Sequence, residues 1–437
     1  MPIMGNVFEY KRDPILMTIK FQREYGDIVR NQLGPFLAHQ IIHPDHVKHV
    51  LQDNYRNYVR GRFYAAFKLF MREGLLTLDG QDWLQHRRLA QTPLNRQHVT
   101  GFEQDITGSV SAMLQRWETA ARAGETLDIV PEMMRLSLSI LGKTLFSIDL
   151  DQEAEKVAPA VLFWFKAMIQ YTGSVHSVLP EWVPTPYNRQ LVASRRVMDD
   201  LMWKIIAEHR QGLRERQDLV NLLLARDETS GEGFSDIQVR NELITIFLAG
   251  HETSGTSLSW TLYHLAKHPQ VLRRLEAELE QVLNGRTPTM EDLPNLPYLK
   301  MVIEESLRLN PPVWGFPRDA VEEDEIGGYY IPKASSIFIV PYVTHRHPEF
   351  WPNPEAFDPE RFAPEKSDKR PKFAYFPFGG GPRLCIGKFL AMPQMQLSVA
   401  MIAQRYRLHV RPDAQVNYGP YLTTRPIKGV PVTLHRR

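Results

Sequence analysis

Phe378-Gly379-Gly380-Gly381-Pro382-Arg383-Leu384-Cys385-Ile386-Gly387 contains the single cysteine of the chain. Three consecutive glycines followed by a proline make a costly backbone, of the kind found where main chain must approach another group closely. A lone cysteine is most often a small buried hydrophobe. This one stands just ahead of a stretch, from Ile386 onward, that reads as a helix. Unpaired N–H groups and the positive end of the helix dipole would hold it as thiolate.

A thiolate with backbone donors aimed at it is a strong axial ligand for haem iron, donating electron density and favouring O–O cleavage. In this light Phe378, Gly381, Arg383, Cys385 and Gly387 resemble the haem-binding loop of the cytochrome P450 superfamily. The resemblance runs from about Asp27 to Thr424 and implies a mainly α fold with a minor β region, the cytochrome P450 fold. It further implies haem b, with Cys385 as the iron ligand.

Other motifs follow in the order the resemblance requires. Ala249-Gly250-His251-Glu252-Thr253-Ser254 lies in the middle of a helix that opens with the capping box Ser235-x-x-Gln238. Small residues mid-helix cost stability, and Thr253 and Ser254 can bond back to carbonyls one turn earlier, which predicts a local opening. The segment resembles the family's oxygen-binding helix, with Ala249 and Gly250 beside the haem and Glu252 and Thr253 as a proton-delivering acid–alcohol pair. His251-Glu252 also begins a zinc-protease pattern, but the second histidine would fall at Gly255, so that reading fails.

Glu305 and Arg308 stand at helical i, i+3 spacing, by itself usually a weak surface pair. With Arg361 in Pro359-Glu360-Arg361-Phe362 they resemble the family's structural triad, which locks the cysteine loop. Trp83 and Arg87 lie one helical turn apart. By resemblance Trp83, Arg87, Arg318 and Arg383 take the haem propionates, which need cationic or N–H partners when partly buried. Gln394 replaces the glutamate usual nine residues after the cysteine, and Pro393 predicts a kink in the helix there. His264 and His268, at i, i+4 spacing before Pro269, read as a solvated face rather than a metal site.

Composition agrees with an ordinary globular protein. Of 437 residues, 43% are hydrophobic and 23% charged, and 52 basic against 50 acidic residues leave +2. That balance gives no support to a nucleic-acid partner. One cysteine excludes a disulfide framework and cysteine-ligated zinc or iron–sulfur sites. Gly-x-Ser-x-Gly is absent, which argues against an α/β serine hydrolase. No apolar run is long enough to span a bilayer and no signal peptide is visible, so a soluble cytoplasmic protein is expected.

The predicted organisation is a single haem domain over 1–437 with no fused reductase. Amphipathic helices occupy about 80–310 and 387–405, including 102–121, 131–146, 188–213, 235–267, 270–283 and 299–309. A small β part comes from about 20–60, 325–345 and the C-terminal end, with strands at 27–33, 38–42 and 336–340. Fourteen of the 32 prolines fall between 311 and 393, marking a long ordered-loop region.

The resemblance implies a monooxygenase that inserts one atom of dioxygen into a lipophilic substrate such as a fatty acid or terpenoid. His-Glu-Thr in the oxygen-binding helix is similar to the fatty-acid-hydroxylating branches. Phe67, Phe163, Trp164, Phe247, Trp314, Phe316 and Leu422, with the segment 421–423, are expected to line its pocket. Electrons would come from a separate ferredoxin, flavodoxin or diflavin reductase, an acidic partner docking near Arg87, Arg88, Lys372 and Lys388. A monomer is expected. The alternatives are a peroxygenase or isomerase on the same haem, which would need no Glu252–Thr253 pair, and a haem-binding sensor without turnover.

Overall fold

The capping box at Ser235 forms as its sequence demands: Ser235 Oγ accepts from the Gln238 N–H, and the Ser235 N–H donates to Gln238 Oε1 at 2.9 Å. The helix it opens runs from Asp236 to Lys267 and is the axis around which the other elements pack. The computed structural model describes residues 5–151, 153–171, 180–214, 218–226, 233–419 and 422–437.

The longer helices that build the helical side are α1 (Gly80–Ala90), α2 (Glu103–Ala123), α3 (Ile129–Leu145), α4 (Ala154–Tyr171), α5 (Pro186–Arg210), α6 (Asp236–Lys267), α7 (Pro269–Leu283), α8 (Pro297–Leu309) and α9 (Lys388–Arg405). Helix α6 is nearly all buried, its apolar side chains packing chiefly on α3. The mainly α reading, with a minor β part, is therefore correct.

Strands β1 (Ile28–Leu33), β2 (Phe36–Ile41), β3 (Tyr58–Val59), β5 (Phe316–Ala320) and β8 (Ser336–Ile339) form one sheet in the order β1-β2-β8-β5-β3. Its one parallel pairing, β2 with β8, aligns Ala38 with Ser336 and Ile41 with Ile339. A second sheet joins β4 (Thr126–Asp128), β10 (Pro431–Arg436) and β9 (Tyr406–Val410), and β6 (Asp324–Ile326) pairs with β7 (Tyr329–Ile331). Two strands escaped the sequence reading: β5 lies in the proline-rich stretch, and β4 is three residues wedged between helices.

Helix α9 runs from Lys388 to Arg405 with Pro393 inside it. In α6 Thr253 bonds back to the Ala249 carbonyl at 2.6 Å, as its sequence position predicts. Ser137 on α3 donates to the carbonyls of His251 (2.8 Å) and Gly250 (3.3 Å) from outside. One expectation fails. His264 is not on a solvated face. Its Nε2 meets Asn310 Oδ1 at 2.7 Å and its ring stacks on Phe357, centroids 4.6 Å apart and planes at 6°.

Candidate active site

Cys385 is held by its own loop. Its N–H donates to the Phe378 carbonyl at 2.9 Å, closing the turn that the glycines allow. At Gly381 that turn has φ +64°, and a Cβ there would overlap the Leu51 carbonyl oxygen. The sulfur is enclosed by protein yet accessible, because the surface it exposes is the wall of an internal cavity of about 340 Å³. Burial raises the thiol above its ordinary pKa, while the backbone N–H groups of Gly387 and Lys388 and the charges of Arg87 and Lys388 pull it down. The protein thus supplies the donors expected of a thiolate site, and burial outweighs them until a cation shares the charge.

One rim of this cavity is strongly cationic. Arg60, Arg318 and Arg383 gather around Tyr64 and Asp79. Arg60 donates to Tyr64 Oη at 2.7 Å and Arg318 at 3.2 Å, while Arg383 pairs with Asp79 and lies 4.2 Å over the Trp83 ring. Burial and mutual repulsion bring Arg318 down to about 10 and Arg383 to about 9. Burial would raise the Tyr64 phenol, but the two guanidinium groups beside it outweigh that and lower it. Three guanidinium groups against one carboxylate leave two positive charges uncompensated, the number that the two propionates of a haem cancel. Arg60 Nε, buried and without a partner, is a further open donor. The residues present fit the group.

Arg60 and Tyr64 were missed in the sequence. They carry no motif, and their role follows only from the fold that sets residues 60–64 beside β5. Arg87 also reaches the cavity wall and donates to the carbonyl of Leu384, next to the cysteine, at 2.6 Å and to Gln91 Oε1 at 3.3 Å. It is half-buried, whereas Arg88, Lys372 and Lys388 are exposed.

Helix α6 presents Thr245, Ile246, Ala249, Gly250, Thr253, Ser254 and Ser257 to the cavity, a single face at helical spacing. Glu252 is on another face. Its carboxylate accepts from Thr423 Oγ1 at 3.0 Å and lies 3.5 Å from Arg425 in the C-terminal loop. Burial raises its pKa, opposed by Arg425 and Thr423.

The Glu305–Arg308–Arg361 constellation is assembled and buried. Arg308 makes two hydrogen bonds to Glu305, of 2.6 and 2.8 Å, and Arg361 Nε lies 3.4 Å from Glu305 Oε1. The remaining donors of both arginines go to carbonyls of His345, Pro352, Asn353, Pro354 and Ala356. What they grip is the loop before the cysteine turn.

The pocket expectations need correction. Of the seven apolar residues, Phe316 lines the cavity. Trp164 is fully buried between Phe70 and Ser194, Phe247 is fully buried against Phe146, and Trp314 packs with Phe338 and Val340. Phe67 packs against Tyr64, Phe163 against Tyr187, and Leu422 on the main core; none is on the wall. Tyr421 lies outside the described residues. The apolar wall is built instead by Leu75, Leu76, Leu145, Ile246, Pro312 and Val313. Gln394 reaches it too, its buried Nε2 lacking a partner.

Comparison with known proteins places this geometry. The family model described as Cytochrome P450 matches residues 1–427. Cyclooctat-9-en-7-ol 5-monooxygenase of Streptomyces melanosporofaciens is 32% identical, the match covering 94% of this chain and 89% of that protein. Pentalenene oxygenase of Streptomyces avermitilis is 29% identical over 95% of this chain and 91% of its own. Human cytochrome P450 4F3 is 30% identical, with 91% and 81% covered.

Proposed function

The chain belongs to the cytochrome P450 family and is a haem-thiolate monooxygenase, and from this we propose that Cys385 would hold the iron of a haem b in the cavity. The observation that carries the assignment is the position of the one cysteine: its sulfur lies on the wall of a cavity that also contains the small-residue face of α6 and an uncompensated cationic rim. When bound, the haem would activate dioxygen so that one atom enters the substrate and the other leaves as water.

The chain's own residues have distinct tasks in this reading. The N–H groups of Gly387 and Lys388 share the charge of the cysteine sulfur, and Phe378, Gly381 and Gly387 shape its turn. Arg318 and Arg383, with Trp83 beneath Arg383 and with Arg60 and Tyr64 added, hold the two carboxylates. Arg87 orients the Leu384 carbonyl beside the ligand. Ala249 and Gly250, being small, would leave room in the cavity for dioxygen, and the Thr253 hydroxyl, donating to Ala249, keeps lone pairs to hold a water. Glu252, with its raised proton affinity, is the acid one residue away, and it must turn from Thr423 and Arg425 to serve the cavity. Glu305, Arg308 and Arg361 have a structural role.

The substrate is lipophilic, and we favour a terpenoid. The support is the wall of branched aliphatic side chains and the two relatives named for cyclooctat-9-en-7-ol and pentalenene. Electrons would arrive from a separate ferredoxin, flavodoxin or diflavin reductase, docking where Arg88, Lys372 and Lys388 are exposed beside the half-exposed Leu89 and Phe389. The protein would work as a monomer in the cytoplasm; among the described residues no helix is long and apolar enough to cross a membrane.

The test is the carbon monoxide spectrum of the reduced protein. Wild type should show the strongly red-shifted band of thiolate ligation and Cys385→Ser should lose it. Retention of that band in the variant would overturn the assignment, since no second cysteine can substitute.

A further inference from the structure

His86 and Glu242, neither of them lining the cavity, form a buried pair. His86 Nδ1 lies 2.5 Å from Glu242 Oε1, and their side chains are 4% and 0% exposed. A buried carboxylate held by one imidazole is costly to build, and removing either partner strands the other. Such a pair calls for a reason beyond packing. The His86 ring also packs against Phe234, centroids 4.4 Å apart and planes tilted by 41°, so it is held from a second side.

Glu242 sits where three segments meet. It belongs to α6, one turn before the cavity residues Thr245 and Ile246. His86 belongs to α1, between Trp83 and Arg87. The third segment is the loop 73–77, whose Leu75 and Leu76 are part of the apolar cavity wall. The Leu75 backbone N–H is close enough to Glu242 to favour its charged form. Asn241 Nδ2 donates to the Glu73 carbonyl at 3.3 Å, and Gly74 approaches α6 so closely that a Cβ would meet Thr245 Oγ1 at 2.4 Å. The loop closes on itself as well, Thr77 Oγ1 donating to the Arg72 carbonyl at 2.7 Å.

We propose that His86 and Glu242 are positioning residues for substrate: the pair latches α1 to α6 and so holds the Leu75–Leu76 wall at the distance a lipophilic substrate requires. The proposal rests on the reading of the cavity as the substrate site. Neither side chain lines the cavity, so the pair acts through the loop.

Two variants separate a latch from a simple packing role. His86→Phe keeps the ring against Phe234 and removes the hydrogen bond, while Glu242→Gln keeps a hydrogen-bonding partner for the imidazole. Each purified holoprotein would be titrated spectrally with imidazole, which needs only the iron, and with 4-phenylimidazole, which also needs the wall. In His86→Phe the ratio of the two dissociation constants should change by about fivefold or more against the larger probe, a modest loss of apolar contact. Glu242→Gln should stay near wild type. An unchanged ratio in His86→Phe would overturn the latch, and so would equal changes in both variants. Loss of haem from both would also overturn it, making the pair a staple of the fold. The carbon monoxide band of the same samples reports separately on the haem-thiolate reading.

Discussion

Arg308 donates to the carbonyl of His345 at 2.9 Å, and His345 in turn accepts the backbone N–H of Phe376 on Nε2 at 3.0 Å. The buried triad therefore reaches the cysteine turn through one imidazole. Burial, reinforced by the charges of Arg308 and Arg346, drives the His345 pKa well below its ordinary value, so the ring stays neutral and its Nε2 lone pair remains available.

Arg308→Ala should yield protein that fails to retain haem, because it strands a fully buried Glu305 at a cost of roughly 3–5 kcal/mol. His345→Phe should have the same direction with a smaller effect, as one buried N–H loses its acceptor, about 1–3 kcal/mol. The measurement is haem per polypeptide after purification, with thermal melting alongside. Full haem content in both variants would disconnect the triad from the cysteine loop.

Gly381→Ala should be more damaging than its size suggests. The residue is at φ +64° and its Cβ would lie 1.7 Å from the Leu51 carbonyl oxygen. Backbone must move, and the turn carrying Cys385 moves with it. Absence of the red-shifted carbon monoxide band in otherwise helical protein by circular dichroism is the expected result.

Thr253→Ala should leave haem content and the carbon monoxide band intact, while raising hydrogen peroxide released per electron consumed. A positioned proton donor contributes about 10²–10⁴-fold to its step. Glu252→Gln should slow turnover less sharply, since its carboxylate is engaged by Thr423 and Arg425 rather than by the cavity. Product and peroxide are each counted against reductant. Equal coupling in wild type and Thr253→Ala would reduce Thr253 to a helix residue.

His264 predicts an acid limit to stability. Burial, with the nearby charges of Arg346 and Arg308 adding to it, lowers its pKa to about 4 from 6.5, so the folded state keeps it neutral where the unfolded state protonates it. The unfolded chain binds the extra proton, and stability should fall as pH drops from about 6.5 to about 4, then level off. The size is on the order of 3 kcal/mol. His264→Gln, which can still donate to Asn310, should flatten that part of the melting-temperature profile. A profile of unchanged slope would mean that His264 titrates normally.

The parts of the site legible in the sequence are those fixed by local spacing. Cys385 and its glycines, Glu305 with Arg308, and the capping box at Ser235 each lie within one turn or one loop, so chain order alone brings them together. Which face a helix shows was not legible. Ile246 lines the cavity and Phe247, larger and more tempting, is buried against Phe146, a difference of about 100° around the helix axis. His264 and His268 read as solvated because Phe357, which covers both, is far along the chain. His345, Arg60 and Tyr64 belong to no local pattern, and their roles appear only when the sheet and the proline-rich loops are in place.

The parallel pairing of β2 with β8 sets when in the life of the chain this cavity can exist. Ala38 waits for Ser336, and the cationic rim waits likewise, drawing Arg60, Arg318 and Arg383 from either side of that gap. During synthesis the helices from α2 to α5 can collapse on near neighbours and β1 can pair with β2, but the other edge of β2 has no partner until residues 336–339 have emerged. That edge and the unpaired arginines are exposed for that interval, a hazard for aggregation and an opening for chaperones. Haem capture is consequently a late event of biogenesis, and its supply at the close of translation should govern the yield of functional protein more than its supply at the start.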